Sequence, residues 1–109
     1  MKTTRDVAVD FFRVVLEVIS RNSSKSYGLF VLKNIQKRLI KKFPFFNLIN
    51  ISDSTVKVNS MINLVEAKKI KALFIGIIDI IGPNLLKLLI KEKLDIEDLK
   101  YLNRIGVKF

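Results

Sequence analysis

The chain has 109 residues, 20 Lys+Arg against 10 Asp+Glu, no His, no Cys and no Trp, and half of it is hydrophobic. Its length allows one domain spanning 1–109. Without His or Cys, the chain has no imidazole base, thiol nucleophile, disulfide or Cys/His zinc site, so we expect no enzyme, no cofactor and no metal.

Thr3 or Thr4 caps a predicted first helix over about 4–20, with Asp6 and Asp10 near its positive dipole end. Val7, Phe11, Val14, Val15, Val18 and Ile19 recur at the three- and four-residue spacing of one helix face. A polar loop over 21–26 leads to a second helix over about 26–42. There Leu29, Leu32, Ile35, Leu39 and Ile40 fall on one side, and Lys33, Lys37, Arg38, Lys41 and Lys42 spread over the other. Pro44 stops it. The corner that follows, with Phe43, Phe45, Phe46, Leu48, Ile49 and Ile51, must pack into the core or against another molecule.

Ser52-Asp53-Ser54-Thr55 reads as a loop ahead of a short amphipathic helix carrying Val56, Val58, Met61, Ile62, Leu64 and Val65. A strand competes over 55–58, where alternation is as good as helical spacing. A long helix over about 66–81 is nearly all apolar after Lys71 and is therefore expected at the centre. Gly76 within it reads as a point of close helix approach. Gly82-Pro83 ends that helix and opens another over about 83–93. Asp95 caps a last helix, with Glu97 and Asp98 in its first turn, and Gly106 terminates it.

The expected fold is a compact all-α bundle of five or six helices. The two halves also align: Phe12, Val15, Leu16, Glu17, Val18 and Ile19 match Phe74, Ile77, Ile78, Asp79, Ile80 and Ile81. Ile35, Arg38 and Leu39 then match Ile90, Lys93 and Leu94, and the corner at 43–51 matches 99–107. These blocks raise an internal duplication of helical hairpins, with halves near 4–52 and 66–109 joined by 53–65. Chance alignment in an Ile-, Leu- and Lys-rich chain is the competing explanation.

Charge is uneven, net +7 over residues 1–52 against +3 over 53–109. No acid lies between Val18 and Ser52. The second-helix face formed by Lys33, Lys37, Arg38, Lys41 and Lys42 is a candidate anion or nucleic-acid face, mostly lysine and so suited to salt-sensitive phosphate contact rather than base reading. A solvated face serving only solubility is the alternative. Phe43, Phe45 and Phe46 are core or a candidate oligomer interface.

Asp79 opposes its own helix dipole and is a candidate for a buried ion pair, with Lys68, Lys71 or a second-helix cation as partner. A catalytic role for it beside Glu17 has no supporting spacing or companion group. The acids at 95–98 read as helix capping, not as a calcium loop. GxxxxGKS/T, GxGxxG and GxSxG motifs are absent.

The apolar stretch over 72–89 is broken by Asp79, Gly82-Pro83 and Lys87, so a membrane span is not expected. With no secretory signal and no cysteine, a cytoplasmic protein is expected. Mean hydropathy of +0.29 in a small chain leaves apolar area to cover. The expected role is a non-enzymatic protein–protein interaction or regulatory module that forms homodimers, with non-specific nucleic-acid binding through the second helix as the alternative.

Overall fold

The computed structural model describes residues 2–108. Five α-helices follow in order: α1 (Thr4–Ile19), α2 (Lys25–Leu39), α3 (Ala67–Ile81), α4 (Pro83–Lys93) and α5 (Ile96–Ile105). Between α2 and α3 lie a 3-10 turn (Pro44–Leu48), strands β1 (Ile49–Ile51) and β2 (Val56–Val58), and a second 3-10 turn (Ser60–Leu64). The radius of gyration is 12.8 Å, close to the roughly 13 Å of a compact 100-residue domain. The bundle is mostly α, as its periodicity implied.

Helix boundaries follow local chemistry. Thr3 caps α1 by accepting from the Asp6 backbone N–H, and Asp6 returns the bond to the Thr3 N–H. Ser24 caps α2 through the Tyr27 N–H, and Asp95 caps α5 through the Asp98 N–H. Gly82, with φ of 124°, separates α3 from the Pro83 start of α4, and Gly106, with φ of 102°, ends α5 in the left-handed region.

The segment after the first 3-10 turn departs from expectation. The predicted short helix carrying Val56 to Val65 is instead strand β2 followed by a 3-10 turn. Ile-Asn-Ile and Val-Lys-Val alternate with period two, and residues 52–55 close them into an antiparallel hairpin pairing Ile49 with Val58 and Ile51 with Val56. The Ser52 hydroxyl fixes this turn by accepting from the Thr55 N–H. Ile49, Ile51 and Val58 face the core. Gln36 ties the corner to α2 by donating to the carbonyls of Phe46 and Ile49. Arg5 ties α1 to β2 by donating to the Val58 carbonyl.

The centre of the molecule is α1, not α3. It packs against α2, α4, α5 and β2, and buries Val7, Ala8, Phe11, Phe12, Val14 and Val15. Phe11 stacks on Phe74 at 4.1 Å between ring centroids, and Phe12 meets Phe74 and Phe46. Helix α3 buries Ile70, Leu73, Phe74, Ile77 and Ile78, but leaves Ile75, Ile80 and Ile81 half-buried. Its apolar excess therefore reaches the surface.

Close helix approach occurs at Gly28 rather than Gly76. A Cβ at Gly28 would overlap Ser20 Oγ and lie 3.0 Å from Leu16 Cδ1, whereas one at Gly76 would make ordinary contacts of 3.8 Å to Phe43 and 4.0 Å to Leu39. In the half-to-half alignment, Ile19 and Ile81 both end helices, and so do Leu39 and the α4 cap Leu94. The third aligned block joins unlike conformations, a 3-10 turn and strand at 43–51 against α5.

Candidate functional site

Lys33, Lys37 and Arg38 on α2 are exposed, and so are Lys41 and Lys42, which lie in the turn beyond the helix because α2 ends at Leu39 and not at the expected 42. Among the described residues the only carboxylate near them in an ion pair is Asp53, 3.9 Å from Lys33. Both members of that pair are exposed, so it contributes little. Lys42 also lies 5.6 Å from the Phe43 ring centroid.

The phenylalanine corner is not an exposed interface. Phe46 is fully buried and Phe43 is 7% exposed, while Phe45 packs half-buried against the core. The 3-10 turn at Pro44–Leu48 folds these rings inward beneath α2. As an oligomer contact the trio is thus corrected to core. Asp79 is corrected as well: it is exposed on the outer side of α3, and no ion pair involves it among the described residues. It shares a cleft with Lys42, Lys68 and Lys71, where water solvates the charge in place of a buried partner.

Exposed apolar area gathers elsewhere. A groove of about 610 Å³ opens between α2, the ends of α1 and α3, and the start of α4. Its floor is Val18, Ile19, Val31, Ile35, Ile80 and Ile81. Tyr27 and Phe30 of α2 form one wall, and Leu85 of α4 forms the other. Phe30 is 60% exposed, and Leu88, one turn beyond Leu85, is 61% exposed. Asn34 and Arg38 are the polar residues lining it, and no carboxylate does so. Much of this lining comes from helix ends because the short turns at 20–24 and at Gly82 bring those ends together.

A second cluster lies where the N-terminal halves of α1 and α5 meet. Lys2 Nζ donates to Asp10 at 2.7 Å, Asp95 at 2.5 Å and Asp98 at 3.2 Å. Carboxylate oxygens of the three acids lie within 4.8 Å of one another. The Lys2 ammonium already supplies the cation at their centre, so the cluster clasps the N-terminus to α5 and does not read as a metal centre. Thr4 Oγ1 and the Tyr101 hydroxyl, 2.6 Å apart, extend that clasp.

Asp98 is the buried member, 1% exposed, with Oδ1 lacking a hydrogen-bond partner. Burial, followed by the neighbouring Asp10 carboxyl, raises its pKa to about 7 against the opposing pull of Lys2. A proton held on Asp98 would let it donate to Asp10 and so give the unpartnered Oδ1 a hydrogen bond. For Asp10, burial pushes the pKa up, but the bonds from Asp98 and Lys2 outweigh it and hold the carboxyl below its ordinary value. The Lys2 hydrogen bond and then the Asp98 N–H lower Asp95. Bonding to Asp10 and Asp95 raises Lys2.

Asp98 was legible only as a capping acid, because nothing local places Lys2 beside it. The groove walls were missed for a related reason: Tyr27 and Phe30 precede the clean basic stretch of α2, and their exposure depends on where α3 ends. No helix among the described residues is long and apolar enough to cross a membrane. No family model, curated protein or solved structure matches the chain.

Proposed function

We propose that this chain is a non-enzymatic protein–protein interaction module that docks through the groove between α2 and the α3–α4 junction. The observation that carries the reading is the groove itself, an aliphatic floor with Phe30 and Leu85 standing exposed on facing walls. A small domain that leaves contiguous apolar side chains outside its core gains by covering them with another molecule. Self-association is part of this proposal only through the groove, since the phenylalanine corner is occupied by the core.

The chain has no cysteine, so Asn34→Cys provides a unique attachment point for an environment-sensitive dye on the groove lining. A saturable dye response to unlabelled chain or to an amphipathic helical peptide, lost in Phe30→Ser, supports docking. No response to either refutes it.

A second reading, salt-sensitive nucleic-acid binding, rests on the five exposed cations of α2 and the turn that follows it and on the exposed aromatics Tyr27 and Phe30 of the same helix. Its mark is single-stranded DNA affinity that falls steeply with salt and drops in Lys37→Glu. Affinity independent of salt, or none at low salt, removes it.

A further inference from the structure

We infer that the groove takes an amphipathic helix with acidic flanks from a partner protein, an assignment that rests on the docking reading above. The groove has the form that receives a helix: exposed Tyr27 and Phe30 from α2 and exposed Leu85 from α4, over an aliphatic floor. A partner helix would place apolar residues at i, i+3, i+4 and i+7 onto Val18, Val31 and Ile80.

Charge selects the flanks. Arg38 lines the groove with no carboxylate in the lining, Lys41 and Lys42 follow in the turn just beyond α2, and Lys33 and Lys37 sit on the neighbouring face of α2 towards Asp53. Acids beside the apolar stripe of the ligand would meet these cations and speed encounter. A second copy of this chain is disfavoured by the same arithmetic, because it brings the same basic helix and a net charge of +10 to the contact. A flat anionic membrane would touch the walls and leave the floor unfilled. An oligonucleotide would meet an aliphatic floor that offers no stacking partner beyond Tyr27 and Phe30 on one wall.

The test uses the full chain labelled at Asn34→Cys and two synthetic helical peptides with one apolar stripe of Leu and Phe, one flanked by Glu and one by Lys. The Glu-flanked peptide is expected to bind about tenfold or more tightly than the Lys-flanked one. Its affinity should fall about tenfold in Phe30→Ser and again in Arg38→Glu. Both positions are exposed, and an unchanged far-ultraviolet spectrum confirms that the variants fold. Equal binding of the two peptides, or a response only to unlabelled chain, overturns the acidic-helix assignment while docking stands. A response to single-stranded DNA or anionic vesicles but to no peptide overturns both, as does silence toward every probe.

Discussion

Asp98→Asn separates the clasp at the N-terminus from ordinary helix capping. In the folded chain Asp98 holds its proton up to about pH 7, whereas its ordinary value is 3.8. Between those values the native state binds more protons than the unfolded chain, so stability declines as pH rises. The limiting slope is about 1.4 kcal/mol per pH unit, and its integral from about pH 5 to 7 comes to roughly 2 kcal/mol. For a domain of this size that is a fall in Tm of roughly 8 °C.

The other shifted groups act outside this window. Asp6, Asp10 and Asp95 are lowered from 3.8, so their stabilisation is present above that pH and is lost on going to acid below it. Lys2 is raised from 10.5, so its contribution is complete at neutral pH and is lost only in strong alkali. The absence of histidine leaves the interval otherwise quiet. Asparagine reproduces the protonated acid, donating to Asp10 and accepting from Lys2. Thermal unfolding followed by circular dichroism at a series of pH values is expected to show a falling Tm for the native chain and a nearly flat profile for Asp98→Asn. A native profile that is flat or rising over pH 5–7, or a variant profile parallel to it, would refute the shared-proton account.

Two further substitutions probe the packing. Gly76→Ala is expected to stabilise by about 1 kcal/mol in urea unfolding, since a Cβ there meets Phe43 and Leu39 at ordinary contact distance and the helix gains propensity. Gly28→Ala is expected to cost about 1 kcal/mol, overpacking against Ser20 and Leu16 exceeding the same propensity gain. Adding Ser20→Ala should recover much of that loss, because Ser20 Oγ is buried without a partner.

Periodicity and caps made all five helices legible to within a residue or two at most ends, because those signals are local. Pro44 and Pro83, Gly82 and Gly106, and the caps at Thr3, Ser24 and Asp95 each act within one turn. The hairpin was harder. Ile49, Ile51, Val56 and Val58 alternate over only three residues per strand, too few to distinguish period two from one helical turn. Asp79 and Asp98 exchanged their expected places for a non-local reason. The dipole argument for Asp79 holds, but a misfit charge is tolerated where water reaches it. Asp98 is buried where it meets Lys2, almost a whole chain length away.

The apolar excess of the composition divides between core and surface according to where helices end. The Phe corner is covered because Gln36 holds its backbone against α2. Ile80 and Ile81 stay half-exposed because Gly82 stops α3 there and turns Pro83 away, so no further helix crosses above them. The exposed end of α3 then sits beside Tyr27 and Phe30, and the basic run of α2 continues from that point. Apolar groove and cationic face thus meet at Arg38, which lines the first and belongs to the second. A ligand that satisfies both must join an apolar stripe to negative charge, and a variant at Arg38 should change its affinity without disturbing the core.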